Sequence, residues 1–117
     1  MSEMRQITYR DAVREAMVEE MRRDENVYFM GEDIGAYCGA FGVSKNMLEE
    51  FGPERIRETP ISETAFMGAG VGSAITGMRP IVELMFSDFM AVCYDQIINQ
   101  AAKMHFMFAG KVNVPMV

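Results

Sequence analysis

Residues 60–70 read Pro-Ile-Ser-Glu-Thr-Ala-Phe-Met-Gly-Ala-Gly, and this stretch decides the fold. Pro60 disfavours helical backbone at the residue before it, so it ends an incoming strand. Ser62 is a favoured N-cap residue, because its hydroxyl can accept a hydrogen bond from a free backbone N–H of the first turn. Glu63 then stands in the first turn of a helix that ends at Gly77. The stretch therefore predicts a strand-to-helix connection with one carboxylate at the mouth of the helix.

The body of this helix is built almost without side chains. Small residues follow Glu63 closely, namely Ala65, Gly68, Ala69, Gly70, Gly72, Ser73 and Ala74. Such residues let another backbone approach, so they predict tight packing at a contact between subunits. The three glycines also permit a dinucleotide-binding interpretation, with Asp88 as the acid about 20 residues further on. Because the helix begins before these glycines, close packing explains them better.

Glu63 itself has two interpretations. A carboxylate in the first helical turn is stabilised by the helix dipole by about 0.3–1 kcal/mol, so it needs no chemical role. A lone acid at the entrance to a tightly packed helix is also what a buried proton-handling site requires. The segment alone favours the first interpretation, and the rest of the chain shifts the balance.

The composition is that of one ordinary globular domain. The chain has 117 residues, of which 50% are hydrophobic and 24% charged, enough for a real core. A net charge of −6 with scattered basic residues argues against nucleic acid and membrane surfaces as partners. Cys38, Cys93 and His105 make a poor ligand set, so no metal site is predicted. Free thiols and the lack of a signal-peptide core indicate a soluble protein of the (bacterial) cytoplasm.

Three further helices are predicted from periodicity and end signals. Thr8 and Asp11 resemble a capping box at the start of a helix that runs to Arg23. A short helix begins at Ser44 and stops at Gly52-Pro53, and a long one runs from Ser87 or Asp88 to about Phe108.

Buried strands are predicted over Val27–Met30, Ile81–Phe86 and Lys111–Val117. The order helix–strand–helix–helix–strand–helix–strand predicts an α/β fold with a parallel sheet flanked by helices. Glu32 and Asp33 follow the first strand, at the sheet edge where ligands gather in open α/β folds. We interpret these two acids as a solvated loop end, with a pocket border as the alternative.

Seven motifs, taken in order, resemble one family. They are Gly31-Glu32-Asp33, Phe51-Gly52-Pro53-Glu54-Arg55, Thr59-Pro60-Ile61-Ser62-Glu63, Gly77-x-Arg79-Pro80, Phe86-Ser87-Asp88-Phe89, Asp95-Gln96-Ile97-Ile98-Asn99-Gln100-Ala101-Ala102-Lys103 and Met107-Phe108-x-Gly110-Lys111. The chain resembles the beta subunit of the thiamine diphosphate-dependent decarboxylating component of 2-oxo acid dehydrogenase complexes, of the pyruvate or acetoin dehydrogenase type. The resemblance implies that residues 1–117 are the N-terminal pyrimidine-binding domain, with a thiamine diphosphate-binding fold. It also implies a truncated chain that lacks the family's C-terminal domain.

The resemblance assigns roles to three residues. In the family, the glutamate of the Ile-Ser-Glu motif bonds a ring nitrogen of the aminopyrimidine, which makes Glu63 both catalytic and cofactor-binding here. That bond activates thiamine diphosphate for oxidative decarboxylation and acyl transfer to a lipoyl arm. Met85 and Phe89 match positions that pack near the pyrimidine ring, although a plain core role explains them equally well. The diphosphate and Mg²⁺ are expected on the alpha subunit, since no Gly-Asp-Gly motif occurs in this chain.

The same resemblance implies partners. They are an alpha subunit in a heterotetramer, a second copy through the small-residue helix, and the lipoyl acyltransferase core of the full complex. The chain alone would hold half a cofactor site, so we expect it to be inactive by itself. Two alternatives stay open: a non-catalytic oligomerisation or regulatory fragment of the same fold, with Glu63 a capping acid, and a transketolase-like enzyme domain acting on sugars.

Overall fold

A computed structural model describes residues 4–117, so the first three residues of the sequence-based domain lie outside the described part. The regular elements, in chain order, are α1 (Tyr9–Arg23), β1 (Val27–Glu32), α2 (Met47–Phe51), β2 (Ile56–Thr59), α3 (Glu63–Ile75), β3 (Arg79–Val82) and α4 (Ala102–Met107). A 3-10 helix over Ser87–Cys93 and a π-helix over Asp95–Ala101 lie between β3 and α4. No helix of the described residues is long and apolar enough to cross a membrane.

The three strands form one parallel sheet in the order β2-β1-β3. The central strand β1 is buried along its whole length, as expected for a strand covered on both faces. Its pairing sets Glu32 opposite Thr59 of β2 and Met30 opposite Val82 of β3. The carboxyl ends of the strands therefore lie along one edge, and the predicted α/β fold with a parallel sheet is confirmed.

Alternate residues of β1 point to opposite faces of the sheet, so the core has two halves. On one face, Phe29 packs in a cluster with Met17 and Met21 of α1. On the other face, Tyr28 and Met30 pack with Phe66 of α3. The helices α1 and α3 thus cover opposite faces and fix which side of the sheet each β1 side chain meets.

Of the two predicted helix N-caps, the structure confirms that of α1 but not that of α3. The hydroxyl of Thr8 accepts a hydrogen bond from the backbone N–H of Asp11 at 3.1 Å and donates to the Asp11 carboxylate at 2.6 Å, which confirms the cap of α1. Ser62 precedes α3 as predicted, but its side chain makes no capping bond. The start of α3 is set instead by Pro60 and by the end of β2.

Two strand predictions differ from the structure. The incoming strand that Pro60 ends is β2, but the predicted element order omits it because Arg57 and Glu58 interrupt any apolar run in that short strand. The predicted strand over Lys111–Val117 is absent from the described chain. Only Val117 bonds to β3: its carbonyl accepts from Val82 N–H at 2.8 Å, and its N–H donates to the Pro80 carbonyl at 3.1 Å.

The segment after β3 also departs from the prediction. β3 ends at Val82 rather than Phe86, because its pairing with β1 ends there. The predicted helix over residues 87–108 is not continuous: it divides into the 3-10 helix, the π-helix and α4. Cys93 is the one buried residue of these three segments. Regular α-helical geometry in proteins depends mostly on packing of an apolar face, and this face packs little.

Two glycines of α3 give a matched test of how closely this helix packs against the sheet. A Cβ at Gly70 would lie 2.7 Å from Cγ2 of Val82, whereas a Cβ at Gly72 would meet nothing within 4 Å. Both changes to alanine gain helix propensity, but only Gly70→Ala overpacks the sheet. We expect Gly70→Ala to be less stable than Gly72→Ala by about 1–3 kcal/mol in urea unfolding. Equal stabilities would contradict this packing.

Candidate functional site

Polar side chains meet at the carboxyl edge of the sheet. Glu32 is the last residue of β1 and is paired with Thr59, the last residue of β2. After Thr59, only residues 60–62 precede Glu63, the first residue of α3. The short connection therefore holds the Glu63 carboxylate near the ends of two adjacent strands. Glu63 is half-buried in this position.

Glu32 is buried, which corrects its interpretation as part of a solvated loop end. It is 6% exposed, and its Oε1 atom has no hydrogen-bond partner. The reason is that β1 extends two residues beyond the apolar run, as far as its pairing with β2 continues. Asp33 is exposed as predicted, with a left-handed φ of 53°. The chain turns away from the sheet at Asp33, two residues later than the predicted end of the strand at Met30 implies.

Unpartnered polar atoms occur at the ends of all three strands. Besides Glu32 Oε1, they are Thr59 Oγ1 and Glu83 Oε2, the latter one residue beyond β3. A buried polar atom without a partner costs about 1–3 kcal/mol, so proteins rarely retain one without a reason. A group with hydrogen-bond donors, bound at this edge, would supply the missing partners.

The electrostatics of this edge centre on Glu63. Burial, and then the negative charges of Glu63 and Asp33, raise the pKa of Glu32. Burial, and then the charge of Glu63, raise the pKa of the Cys93 thiol. Burial, and then the charge of Glu32, raise the pKa of Glu83. Since like charges disfavour ionisation, these neighbours keep their protons more readily than exposed groups do.

The first turns of α3 are packed against the segment that carries Cys93. Thr64 donates a hydrogen bond from its hydroxyl to the Val92 carbonyl at 2.9 Å. One turn further, a Cβ at Gly68 would come 3.2 Å from Oε1 of Gln96. The absence of a side chain at residue 68 therefore lets the π-helix approach α3. The predicted glycine-rich stretch lies inside α3, as expected for packing residues and not for a dinucleotide loop.

Met85 and Phe89 follow β3 but lie in different surroundings. Met85 lines a cavity of about 360 Å³ on the α1 side of the sheet, together with Phe41 and Glu83. Phe89 packs edge to face against Phe86, with 5.8 Å between the ring centroids. Their contact with a cofactor stays a prediction.

The remaining ligand-type side chains do not converge. Within residues 4–117, no group of three or more His, Cys, Asp or Glu side chains is arranged to hold a metal ion. His105 is exposed, and its Nδ1 lies 2.9 Å from the Val112 carbonyl oxygen. Cys38 and Cys93 are both free thiols.

Three residues of this region were missed by the sequence analysis. Thr59 was recognised only as part of a motif, although its place directly before Pro60 marks the end of a strand. Glu83 interrupts the apolar run 81–86, and a charged residue inside a buried strand is a usable signal. Phe41 carries no signal of its own, because its contact with Phe86 depends on how a loop folds back.

Known proteins resemble this chain along nearly its whole length. The family described as transketolase, pyrimidine binding domain, matches residues 5–117, and the chain belongs to that family. Subunit beta of acetoin:2,6-dichlorophenolindophenol oxidoreductase from Bacillus subtilis is 48% identical over 123 residues. The pyruvate dehydrogenase E1 component subunit beta of Rickettsia bellii is 50% identical over 112 residues, and subunit beta-1 of the mitochondrial enzyme of Arabidopsis thaliana is 48% identical over 113.

These alignments cover 95%, 96% and 97% of the chain but only 36%, 34% and 31% of the respective relatives. The chain thus spans about a third of the length of these relatives. The resemblance to beta subunits of pyruvate and acetoin dehydrogenases is confirmed, and so is the pyrimidine-domain fold.

The buried acid gives a pH test of the site. Unfolding returns Glu32 to an ordinary carboxyl pKa of about 4.3. The protein therefore loses stability as pH rises from that value through the raised pKa of Glu32, because the folded state binds the proton more tightly. We expect Glu32→Gln to be more stable than the wild type at pH 7, with the difference smallest below about pH 4. Urea unfolding across this range measures it.

Glu54→Gln, which removes an exposed acid, is the matched control and should show no such pH-dependent gain. A Glu32→Gln protein that is less stable than the wild type at pH 7 would show that the buried carboxylate is ionised and satisfied in the folded state.

Proposed function

We propose that this chain is the pyrimidine-binding domain of the beta subunit of a thiamine diphosphate-dependent pyruvate, other 2-oxo acid or acetoin dehydrogenase. Glu63 is the residue that holds the cofactor's aminopyrimidine. The observation that carries the proposal is the position of Glu63: half-buried in the first turn of α3, beside a buried acid whose Oε1 has no partner. A capping acid needs no such neighbour.

Of the two acids, Glu63 is the one to which we assign the role of hydrogen-bond acceptor for the cofactor. Two carboxyl groups that are close together resist ionising together, and the one with less access to water keeps its proton. Glu32 is the more buried of the two, and its pKa is raised. Glu63 then presents an acceptor to a protonated ring nitrogen, and hydrogen bonds between charged groups are about twice as strong as neutral ones.

The other unpartnered atoms suit the same group. Glu32 Oε1 and Thr59 Oγ1 can accept hydrogen bonds from an amino substituent on a heterocyclic ring. Phe89 would supply an apolar surface for the ring. Bound thiamine diphosphate supplies an electron sink for the decarboxylation of a 2-oxo acid. The protein's part is to orient the ring, exclude water and hold the proton on the ring nitrogen through the Glu63 acceptor.

The acidic edge also explains why another chain is needed. Glu32 lies near both Glu63 and Glu83, and a diphosphate beside it would meet no compensating cation among these three acids. The diphosphate and its Mg²⁺ must therefore be held elsewhere, which supports an alpha subunit as the partner. Transfer of the acyl group to a lipoyl arm on an acyltransferase core belongs to the same proposal.

Substitution of the acid tests the function. We expect Glu63→Gln, in the subunit assembled with its alpha subunit, to lose about 10²-fold or more in the rate of 2-oxo acid or acetoin turnover, because amide and carboxylate differ in proton affinity. Glu54→Gln should retain activity. The chain without an alpha subunit should show no turnover.

Each alternative predicts a distinct result. If neither the wild type nor Glu63→Gln is active, the result would favour the non-catalytic fragment, in which Glu63 only caps the helix. Turnover of ketose phosphates instead of 2-oxo acids or acetoin would favour the transketolase-like alternative. Full activity of Glu63→Gln would contradict the proposal.

Self-association uses the outer face of α3. Ala65, Ala69 and Gly72 are exposed along one side of this helix, and the space beyond Gly72 is open for at least 4 Å. The opposite side, which includes Phe66 and Gly70, is buried in the chain's own core. The outer face is therefore free to admit the backbone of a second copy, and this supports the predicted contact.

A large side chain on this face should block the contact. We expect Gly72→Leu to fold at least as stably as the wild type, since nothing nearby clashes and leucine favours helix by about 0.6–1 kcal/mol relative to glycine. We also expect it to shift the protein towards the monomer in analytical ultracentrifugation. Glu54→Gln again serves as the control. An unchanged mass distribution would place the contact elsewhere.

A further inference from the structure

The loop after β1 is closed on itself. The backbone N–H of Gly39 donates to the Asp33 carbonyl at 2.8 Å, and the Ser44 hydroxyl donates to the Ile34 carbonyl at 2.7 Å. Ile34 and Ser44 are fully buried. Both ends of the loop are therefore anchored in the core.

The same loop rests on the segment that follows β3. A Cβ at Gly39 would lie 3.6 and 3.8 Å from the two carboxyl oxygens of Glu83, so the glycine lies close over that side chain. The φ of Gly39 is 75°, in the left-handed region that glycine tolerates without strain. The loop is thus fixed in position relative to residues 83–89.

Phe41 projects from this loop into a row of three aromatic rings. Its ring meets Phe86 edge to face, with 5.7 Å between centroids and 75° between planes. Phe86 meets Phe89 in the same manner, at 5.8 Å and 88°. We call Phe41, Phe86 and Phe89 the aromatic row. Edge-to-face pairs are favourable beyond the burial of their area, so each ring restricts the next.

Phe89 lies near the start of the 3-10 helix, whose one buried residue, Cys93, is at the far end. The hydrogen bond from Thr64 to Val92 also fixes that far end. At the near end, the aromatic row joins the helix to the anchored loop.

We propose that Phe41 is a positioning residue for the cofactor site: through Phe86 it fixes the ring of Phe89 where the pyrimidine ring packs. This inference rests on the proposed function, in which Phe89 supplies the apolar wall for that ring. Phe41 touches no reacting group, so its removal weakens binding of the cofactor without changing the acid that activates it.

The test is a double-mutant cycle in the full-length subunit that carries this chain, assembled with its alpha subunit. The Kd of thiamine diphosphate is measured with Mg²⁺ for Phe41→Leu, Phe89→Leu and the double variant. We expect each single change to raise the Kd about fivefold, in line with the loss of an aromatic pair. Because Phe41 acts through Phe89, the double variant should match Phe89→Leu alone.

Two further readouts separate positioning from general destabilisation. The kcat at saturating cofactor should stay within about twofold of the wild-type value for Phe41→Leu. For Glu63→Gln, in contrast, the kcat should fall strongly. Phe41→Tyr keeps the ring and should restore the wild-type Kd. Tyr37→Leu is the matched control, since Tyr37 lies on the same loop and is 71% exposed. It should leave the Kd unchanged.

Additive effects of Phe41→Leu and Phe89→Leu would overturn the inference, as would a wild-type Kd for either single variant. A loss of kcat in Glu63→Gln together with an unchanged Kd in Phe41→Leu would refute only the role of Phe41. Full activity of Glu63→Gln would refute the proposed function itself.

Discussion

The parallel pairing of β1 with β2 is the constraint on which the site depends. It carries Glu32 to the end of the sheet beside Thr59, and the short connection after Thr59 returns the chain at once into α3. Glu63 is thereby held near Glu32, a buried acid whose pKa is raised by burial and then by the negative charge of Glu63. A shift of one residue in this pairing would turn Glu32 to the other face of the sheet and separate the two carboxyl groups.

The groups at the carboxyl edge of the sheet favour one part of the proposed cofactor over another. Acids and unpartnered oxygens line the edge. The edge therefore suits a heterocycle that donates hydrogen bonds, and its negative charge repels a diphosphate. The outer face of α3 and the weakly packed segment after β3 are the exposed surfaces that contact with another chain could bury. These features support the proposal that the site is shared with another chain.

The sequence predicted the parts that local patterns determine. The apolar run of β1, the capped α1 and the start of α3 soon after Pro60 all agree with the structure, and Glu63 lies in the first turn of α3 as predicted. Other features depend on contacts between distant segments. β2 consists largely of charged residues and exists because β1 pairs with it, and the burial of Glu32 follows from the same pairing. Pro60 marks where β2 ends, but neither the pairing of β2 with β1 nor the burial of Glu32 has a signal in its own segment.

The central claim is that Glu63 bonds a pyrimidine ring nitrogen. The most direct measurement is ¹⁵N NMR of thiamine diphosphate labelled at that nitrogen and bound to the assembled enzyme. The account predicts the chemical shift of a protonated ring nitrogen in the wild type and of an unprotonated one in Glu63→Gln. Identical shifts in the two proteins would contradict it.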